Sequence, residues 1–331
     1  MASYAVCCRF LAFICLHFLV FVCVSEGAAE LKHKHKHKHR QNGGYRPGPV
    51  QATEIDLLEF PLNLEYLEAE FFLFGAFGYG LDQVAPELVS GGPPPTGAVK
   101  AHLDPLVQDV IKQFAYQEVG HLRAIKATVK GFPRPHLDLS AQQFAKVFDT
   151  AFNTKLNPPF DPYANSVNYL LASYVIPYVG LTGYVGANAY LRSKSAKRLL
   201  AGLLGVESGQ DAVIRTLLYR IKDEKVAPYK YTVAEFTDRL STLRNQLGYT
   251  RTVDEGLVVK KSLGAEGKVK GNILAGDKYS VAYGRNPAQI LRIVYSSGNE
   301  SIPGGIFPHG GGGNIAKGFL SRLTPHHDLI D

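Results

Sequence analysis

The segment QEVGHLRAI, residues 117–125, places Glu118 and His121 three residues apart within a helical pattern. Apolar residues recur around it at steps of three and four, which marks one buried stripe of a helix. They are Leu103, Leu106, Val110, Phe114, Leu122 and Ile125. Glu118 and His121 continue this stripe. Because an unpaired ionised glutamate is very costly in a protein core, the Glu-x-x-His pair predicts a buried partner, and a metal ion is one.

Two further segments direct carboxylates toward a core in the same way. They are LNLEYLEAEFFLFGAFGYGLD, residues 62–82, and GVESGQDAVIRTLL, residues 205–218. In each segment, polar residues fall in phase with the apolar stripe of the helix. These in-phase residues are Glu65 and Glu68 in the first segment and Glu207 and Gln210 in the second. The sequence therefore predicts three helices that each aim a carboxylate at one core.

Long helices and two long connections predict a mainly α-helical protein, with a four-helix bundle and crossover connections over residues 51–248. Thr232 and Glu235 form a capping-box pattern at the start of the last helix. A short amphipathic piece is expected around Phe144 to Phe152. The expected helices cover residues 53–76, 103–130, 163–192, 195–222 and 232–247, and the two connections cover residues 77–102 and 131–162.

Residues 249–331 change character, because Gly, Asn and Pro punctuate short apolar runs. This pattern predicts an irregular C-terminal extension packed on the bundle, with one short helix near residues 287–294. Residues 310–313 lack the Lys-Ser/Thr of a phosphate-binding loop and predict a flexible turn. Asn299 begins an Asn-x-Ser sequon in a Gly-rich segment that we expect to be exposed and glycosylated.

The third expected helix carries no acidic residue, since no Asp or Glu occurs between Pro162 and Val206. It is long enough to span a bilayer. Its Asn, Pro, Gly and Tyr residues instead favour a buried bundle helix, and we expect no stable membrane span. Its buried tyrosine hydroxyls need partners, and Glu118 or Glu207 are candidates.

Residues 1–27 have the pattern of a cleaved signal peptide. Arg9 precedes an apolar run from Leu11 to Val24, and small residues follow it. The run is shorter than the roughly 20 residues that a membrane span needs, although an uncleaved anchor stays an alternative. All four cysteines lie within this segment. The sequence therefore predicts a protein secreted to the apoplast or cell wall that contains no disulfide.

Residues 28–50 predict a disordered tail, because LKHKHKHKHRQNGGYRPGP has almost no apolar residue. Three interpretations stay open: a solvated segment without a partner, a site for an acidic cell-wall polysaccharide such as pectin, and metal binding by imidazole. The net charge of +7 is concentrated here. It does not form the distributed basic face of a nucleic-acid-binding protein. The charged or ligating residues of the tail are Lys32, His33, Lys34, His35, Lys36, His37, Lys38, His39 and Arg40.

Taken together, these segments resemble the plant desiccation-related proteins, which are built on the ferritin-like fold. The resemblance is carried by residues 62–82, 117–125 and 205–218. The C-terminal NPAQILRIVYSSGNESIPGGIFPHG, residues 286–310, and IAKGFL, residues 315–320, extend it. It covers about residues 50 to 322 and implies a ferritin-like four-helix bundle.

In ferritin-like two-metal proteins, two helices each give one Glu and two others each give Glu-x-x-His. The resemblance implies that Glu65, with Glu68 as alternate, matches the first-helix ligand. It also implies that Glu118 and His121 match the second-helix pair, and that Glu207 matches the Glu of the fourth helix. Two departures follow, because Gln210 stands where the family has its second His and the third helix has no carboxylate.

Three interpretations of this site stay open. It is a buried hydrogen-bonded network without metal, a site for one iron, manganese or zinc ion, or a working two-metal enzyme. The incomplete ligand set favours a secreted, stress-related protein that is non-enzymatic and either protective or wall-associated. The alternative is an iron- or manganese-dependent oxidase or catalase-like enzyme, for which the buried Glu-x-x-His is the best support.

Overall fold

The computed structural model describes residues 52–250 and 254–323. The predicted signal peptide and tail lie outside the described residues. The described part is mainly helical, and it contains isolated β-bridges but no strand. Its α-helices in chain order are α1 (Glu54–Glu59), α2 (Leu62–Phe77), α3 (Leu81–Val84), α4 (Pro86–Val89), α5 (Pro105–Thr128), α6 (Ala141–Phe152), α7 (Ser166–Val175), α8 (Pro177–Asn188), α9 (Lys194–Arg220), α10 (Val233–Leu247), α11 (Pro287–Val294) and α12 (Gly313–Leu320).

Polar side chains set the starts of the long helices. The Asp104 carboxylate accepts hydrogen bonds from the first backbone N–H groups of α5, and Pro105 follows it at the first helical position. Ser193 caps α9 in the same way. Thr232 and Glu235 form the predicted capping box at the start of α10. The side chains that begin these helices were therefore visible in the sequence.

Two predicted helices are each divided at a proline. The first expected helix becomes α1 and α2, with Pro61 at the junction. The third becomes α7 and α8, with Pro177 at the first position of α8. Proline has no backbone N–H and its ring clashes with the preceding turn, so it interrupts the helical hydrogen bonds. The expectation of continuous helices over residues 53–76 and 163–192 was therefore wrong.

The bundle consists of α2, α5, the α7–α8 pair and α9. Helix α2 packs along α5, and α9 packs against both α7 and α8. The ring of Tyr169 stacks on that of Phe71 with centroids 4.6 Å apart, and its hydroxyl donates to the Phe71 carbonyl. A Cβ added to Gly75 would lie 2.0 Å from the Tyr169 Oη. Only glycine lets α2 and α7 approach this closely.

The buried stripe of α5 differs from the prediction at its first turn. Leu106 is 53% exposed, whereas Val107 and Ile111 are buried. Leu106 is only the second residue of the helix, and steps of three and four can include either neighbour at a helix end. From Phe114 onward the predicted face is the buried one.

One helical stretch of the described residues, Ser166–Asn188, is long and apolar enough to cross a membrane by composition. Within the fold, 72% of its most apolar window is buried. Burial of this extent is the pattern of a core helix, which agrees with its place as α7 and α8 in the bundle.

The C-terminal segment is more regular than the sequence indicates. Helix α11 was predicted, but α12 was not, and it begins within the expected flexible turn at residues 310–313. The Gly312 N–H donates to Asn63 Oδ1 over 2.7 Å, which ties this turn to α2. Asn314 Nδ2 donates to Asp56 in α1 over 2.8 Å. These long-range contacts, which sequence periodicity does not record, hold the turn.

Candidate metal centre

Four predicted side chains meet at the centre of the bundle. The ligand atoms of Glu65, Glu118, His121 and Glu207 all lie within 4.8 Å of one another. His121 Nδ1 lies 3.1 Å from Glu65 Oε2, 3.2 Å from Glu118 Oε2 and 3.7 Å from Glu207 Oε1. The three carboxylates are at most 1% exposed. Helices α2, α5 and α9 therefore bring one imidazole and three carboxylates together away from bulk water.

Glu68 adds a fourth carboxylate beside the other three. It is 1% exposed, and it lies one helical turn after Glu65 on α2. A Cβ added to Gly180 of α8 would lie 3.5 Å from Glu68 Oε1 and 3.4 Å from Glu207 Oε2. Both carboxylates thus face the point on the third helix where the sequence supplies no acid. In the family pattern, two helices each contribute one glutamate. Here α2 contributes two glutamates, and the third helix contributes none.

Gln210 reaches the centre through a neighbouring ligand. Its Nε2 donates to Glu118 Oε1 and, over 3.1 Å, to Gln117 Oε1. The exposed Gln117 therefore lies on the other side of Gln210 from Glu118. An amide in this position orients the Glu118 carboxylate, as outer-shell hydrogen bonds do around metal ligands.

Tyr184 is the contact that sequence reasoning misplaced. The hydroxyl of this α8 residue donates to Glu65 Oε1, not to Glu118 or Glu207. Tyr184 is 2% exposed, and burial raises the pKa of its phenol well above the ordinary value. It therefore stays a neutral donor. The sequence feature that could have indicated this contact is the spacing of Tyr184 and Gly180, which lie one helical turn apart and therefore on the same face of α8.

Burial raises the pKa of three of the four acids. Desolvation raises the pKa values of Glu68 and Glu118 well above the ordinary range, and repulsion from neighbouring carboxylates adds to the effect. Burial also raises the pKa of Glu207 to about 7. Burial and the neighbouring carboxylates therefore both favour the protonated forms of Glu68 and Glu118.

His121 and Glu65 form the charged pair of the cluster. Burial alone would lower the pKa of His121, but attraction by Glu65 and hydrogen bonds to the surrounding carboxylates raise it well above its ordinary value. Burial alone would raise the pKa of Glu65, but His121 and the Tyr184 hydroxyl hold it below its ordinary value. An imidazolium thus takes a position that a metal cation could take instead.

Several buried oxygens of this cluster have no nitrogen donor within hydrogen-bond distance among the described residues. They are Glu68 Oε1, Gln210 Oε1 and both carboxylate oxygens of Glu207. Buried polar atoms in native proteins nearly always have partners, so each exception needs an explanation such as an ion or a water. Carboxylates with an imidazole are a donor set for iron, manganese or zinc. The residues present therefore fit a cation centre.

Comparison with known proteins agrees with this geometry. A sequence model described as a ferritin-like domain matches residues 53–220. The chain is 59% identical to a ferritin-like catalase, Nec2, from Nesocodon mauritianus, over 82% of this chain and 87% of that protein. It is 57% identical to the desiccation-related protein PCC13-62 from Craterostigma plantagineum, over 78% and 83% respectively. No solved structure matches significantly. The chain belongs to the ferritin-like family.

Proposed function

We propose that this member of the ferritin-like family is a metal-dependent enzyme that converts hydrogen peroxide to water and dioxygen. The observation that carries the proposal is the buried centre itself, with its four carboxylates, one imidazole and several oxygens without partners. The similarity to a ferritin-like catalase supports it. The expectation of a non-enzymatic protein counted three carboxylates and treated Glu68 as an alternate to Glu65.

The charges of the centre fit two divalent ions. Four carboxylates carry four negative charges when ionised, which balances two such ions. Glu65, Glu118, His121 and Glu207 would hold them, and Glu68 would supply the remaining charge. His121, and any of the four carboxyl groups that is protonated, would release its proton when the ions bind, because a ligand must be deprotonated.

Two bound iron or manganese ions would supply the two-electron store by which one peroxide is reduced to two waters and a second is oxidised to dioxygen. The two protons released by the oxidation are those consumed by the reduction, so the overall reaction needs no external acid. The chain positions the ligands through the Tyr184 and Gln210 hydrogen bonds. Burial of all four carboxylates keeps bulk water away from the reacting centre.

A non-enzymatic protective role is the second candidate. Gln210 replaces a ligating histidine of the family pattern, and His121 already neutralises Glu65 without a metal. The similarity to a desiccation-related protein is compatible with either candidate.

Metal content and oxygen release distinguish the two candidates. The protein is purified without a nickel column, and its bound iron and manganese are counted alongside oxygen evolution from hydrogen peroxide. We expect about two ions per chain by the family pattern. A variant with His33, His35, His37 and His39 changed to Gln discounts ions held by the tail. Ion-free protein that cannot be loaded, together with no oxygen release, would support the protective role.

We also propose that the protein is secreted and that its tail binds acidic wall polysaccharide. The signal-like residues 1–27 and the alternating Lys and His residues support this. Retention on de-esterified pectin should rise from about pH 7 to about pH 5, because free histidine becomes charged below about pH 6.5. Deletion of residues 32–40 should abolish that rise. Metal binding by the tail would have the opposite pH dependence.

Glycosylation at Asn299 remains a proposal. Asn299 is half-buried and its Oδ1 accepts from the Ser301 N–H over 2.9 Å, while Ser301 is only 4% exposed. The sequon is thus more enclosed than expected from its Gly-rich surroundings. A mobility shift lost in Asn299→Gln protein from a plant secretory host would support the modification.

A further inference from the structure

A small cavity adjoins the metal centre on the side of α8. Its volume is about 30 Å³, which is enough for at least one water-sized molecule, since a single water needs about 10–15 Å³ of such space. Its walls come from α2, α8 and the segment at the start of α11. The lining that matters here comprises Glu65, Glu68, Gly180, Gly183, Arg285 and Ile290. A second cavity of the same volume, beside Leu67 and Ile176, contacts none of the four carboxylates.

The lining of the cavity combines buried and half-buried residues. Glu65 and Glu68 are each 1% exposed. Gly183, Ala187 and Pro287, which also line the cavity, are half-buried. The cavity therefore contacts both the carboxylates of the centre and residues that reach the surface.

Two polar groups without partners line the cavity. Arg285 is 1% exposed, and its terminal nitrogens contact Thr182 Oγ1 over 2.9 Å and Asp254 over 3.1 Å. Its Nε–H has no acceptor among the described residues, and Glu68 Oε1 has no donor. The residues that line the cavity therefore include one donor and one acceptor without a partner among the described residues. Hydrogen peroxide both donates and accepts hydrogen bonds, and it is little larger than water.

We propose that this cavity is the passage by which small polar molecules of the size of hydrogen peroxide reach the metal centre. The identity of the natural substrate of this passage rests on the proposed peroxide activity. The passage itself rests on the geometry of the cavity. Because the cavity is small, we expect the passage to favour hydrogen peroxide over alkyl hydroperoxides. The start of α11 forms its outer wall, which gives the C-terminal segment a part in substrate selection.

Gly183 and Ile290 lie close together in the lining of the passage. A Cβ added to Gly183 would lie 2.9 Å from Ile290 Cδ1. Gly183→Ala therefore narrows the passage at this point. Ile290→Val removes the Cδ1 methyl itself and widens it. The double variant restores much of the original space, so the three variants form a cycle around one contact.

The test makes two measurements on the metal-loaded protein. Stopped-flow absorption gives the rate at which azide associates with the metal centre, and oxygen release gives the rate of peroxide turnover. We expect about a tenfold slower azide association in Gly183→Ala, a faster one in Ile290→Val, and a rate near the original in the double variant. Ile290→Val should also turn over tert-butyl hydroperoxide better relative to hydrogen peroxide. Gly202→Ala is the matched control, because its added Cβ meets nothing within 4 Å. Circular dichroism and metal content identify any variant that fails to fold or load.

The two proposals fail in different ways. If azide entry follows the cycle but no variant releases oxygen, the passage stands and the peroxide activity does not. If the original protein releases oxygen while azide association is equal in all variants, the activity stands and the passage is overturned. Entry would then lie elsewhere, for example beside Gln117, whose exposed amide contacts Gln210.

Discussion

Two buried charged clusters of the described residues differ in the sign of their excess charge. The acidic centre gathers Glu65, Glu118 and Glu207 around His121, with Glu68 beside Glu207. The second cluster, here called the arginine cluster, consists of Arg215, Arg244, Arg285, Asp211 and Asp254. In the arginine cluster, Asp254 contacts both Arg244 and Arg285, at 2.6 Å and 3.1 Å. In the acidic centre, carboxylate oxygens lack partners.

The arginine cluster is held by contacts from within the chain. Arg215 donates to the carbonyl oxygens of Ile273, Glu255 and Gly256, and its guanidinium lies 5.3 Å from the Tyr174 ring centroid. These contacts join α9 to the C-terminal segment and give the cluster a structural role. Its three guanidinium groups outnumber its two carboxylates, and Arg285 Nε has no acceptor among the described residues, whereas the acidic centre has more carboxylates than cationic groups. The difference indicates which of the two is built for an external cation.

Loss of one candidate ligand from the acidic centre should give the largest difference between the roles of the two clusters. Glu118→Gln removes a charge that the proposed ions need, so metal binding and peroxide turnover should fall by more than about 100-fold, since even outer-shell changes cost about 10- to 100-fold. The metal-free protein should lose little stability, because Gln has nearly the shape of Glu and removes a carboxylate that Glu207 and Glu65 repel. Metal titration and denaturant unfolding measure both effects. Asp109→Asn, an exposed position on α5, is the control.

Loss of one acid from the arginine cluster should have the reverse pattern. Asp254→Asn leaves Arg244 and Arg285 buried without their counter-charge, which should lower the free energy of unfolding by about 3–5 kcal/mol. Metal stoichiometry of the folded fraction should not change. Asp223→Asn, at an exposed carboxylate, should shift stability by less than about 0.5 kcal/mol. Equal stability of Asp254→Asn and Asp223→Asn would contradict the structural role.

Tyr184→Phe tests how far the acidic centre depends on its positioning contacts. The change removes the donor to Glu65 without altering the ring, so metal affinity should fall by about 10- to 100-fold. Competition with a chelator measures the affinity. Tyr190→Phe, at a residue 70% exposed, should leave the affinity unchanged. If both variants bind equally well, Tyr184 does not position Glu65.

A half-buried ion pair gives the smallest expected effect. Burial alone would raise the pKa of Glu300, but its hydrogen bonds to Arg292, at 2.6 Å and 2.9 Å, lower it below the ordinary value. A carboxylate with a lowered folded-state pKa stabilises the fold above its unfolded pKa of about 4.3, and this contribution is lost as pH falls through the folded value.

Glu300→Gln should therefore lower the free energy of unfolding by about 1 kcal/mol at neutral pH. The difference from the original protein should shrink as the pH falls below about 4. Denaturant unfolding at several pH values measures it, and the substitution keeps the Asn-x-Ser sequon. A difference that grows toward acid would contradict the assigned direction of the Glu300 pKa.

The sequence by itself determined the helices and most of the ligand set. Periodicity located α5 and α9, and the Thr232–Glu235 capping box located the start of α10. The Glu-x-x-His phase placed Glu118 and His121 on the buried face of α5. These features are local, because a helix repeats every 3.6 residues and its first N–H groups need acceptors within the next turn. The prolines that divide two helices were also visible, although their effect was not predicted.

Only the tertiary structure decided which residues from different helices meet. Periodicity states which face of a helix is buried, but not which residues of another helix lie opposite that face. Glu68 therefore became the fourth carboxylate only when Gly180 of α8 was seen beside it, and Tyr184 was paired with Glu65 only by the packing of α8 on α2. The arginine cluster has the same origin, since Asp254 lies about 40 residues from Arg215 and 31 from Arg285 along the chain. Ordering such distant segments costs conformational entropy, which only the contacts of the completed fold offset. No local sequence pattern therefore predicts this cluster.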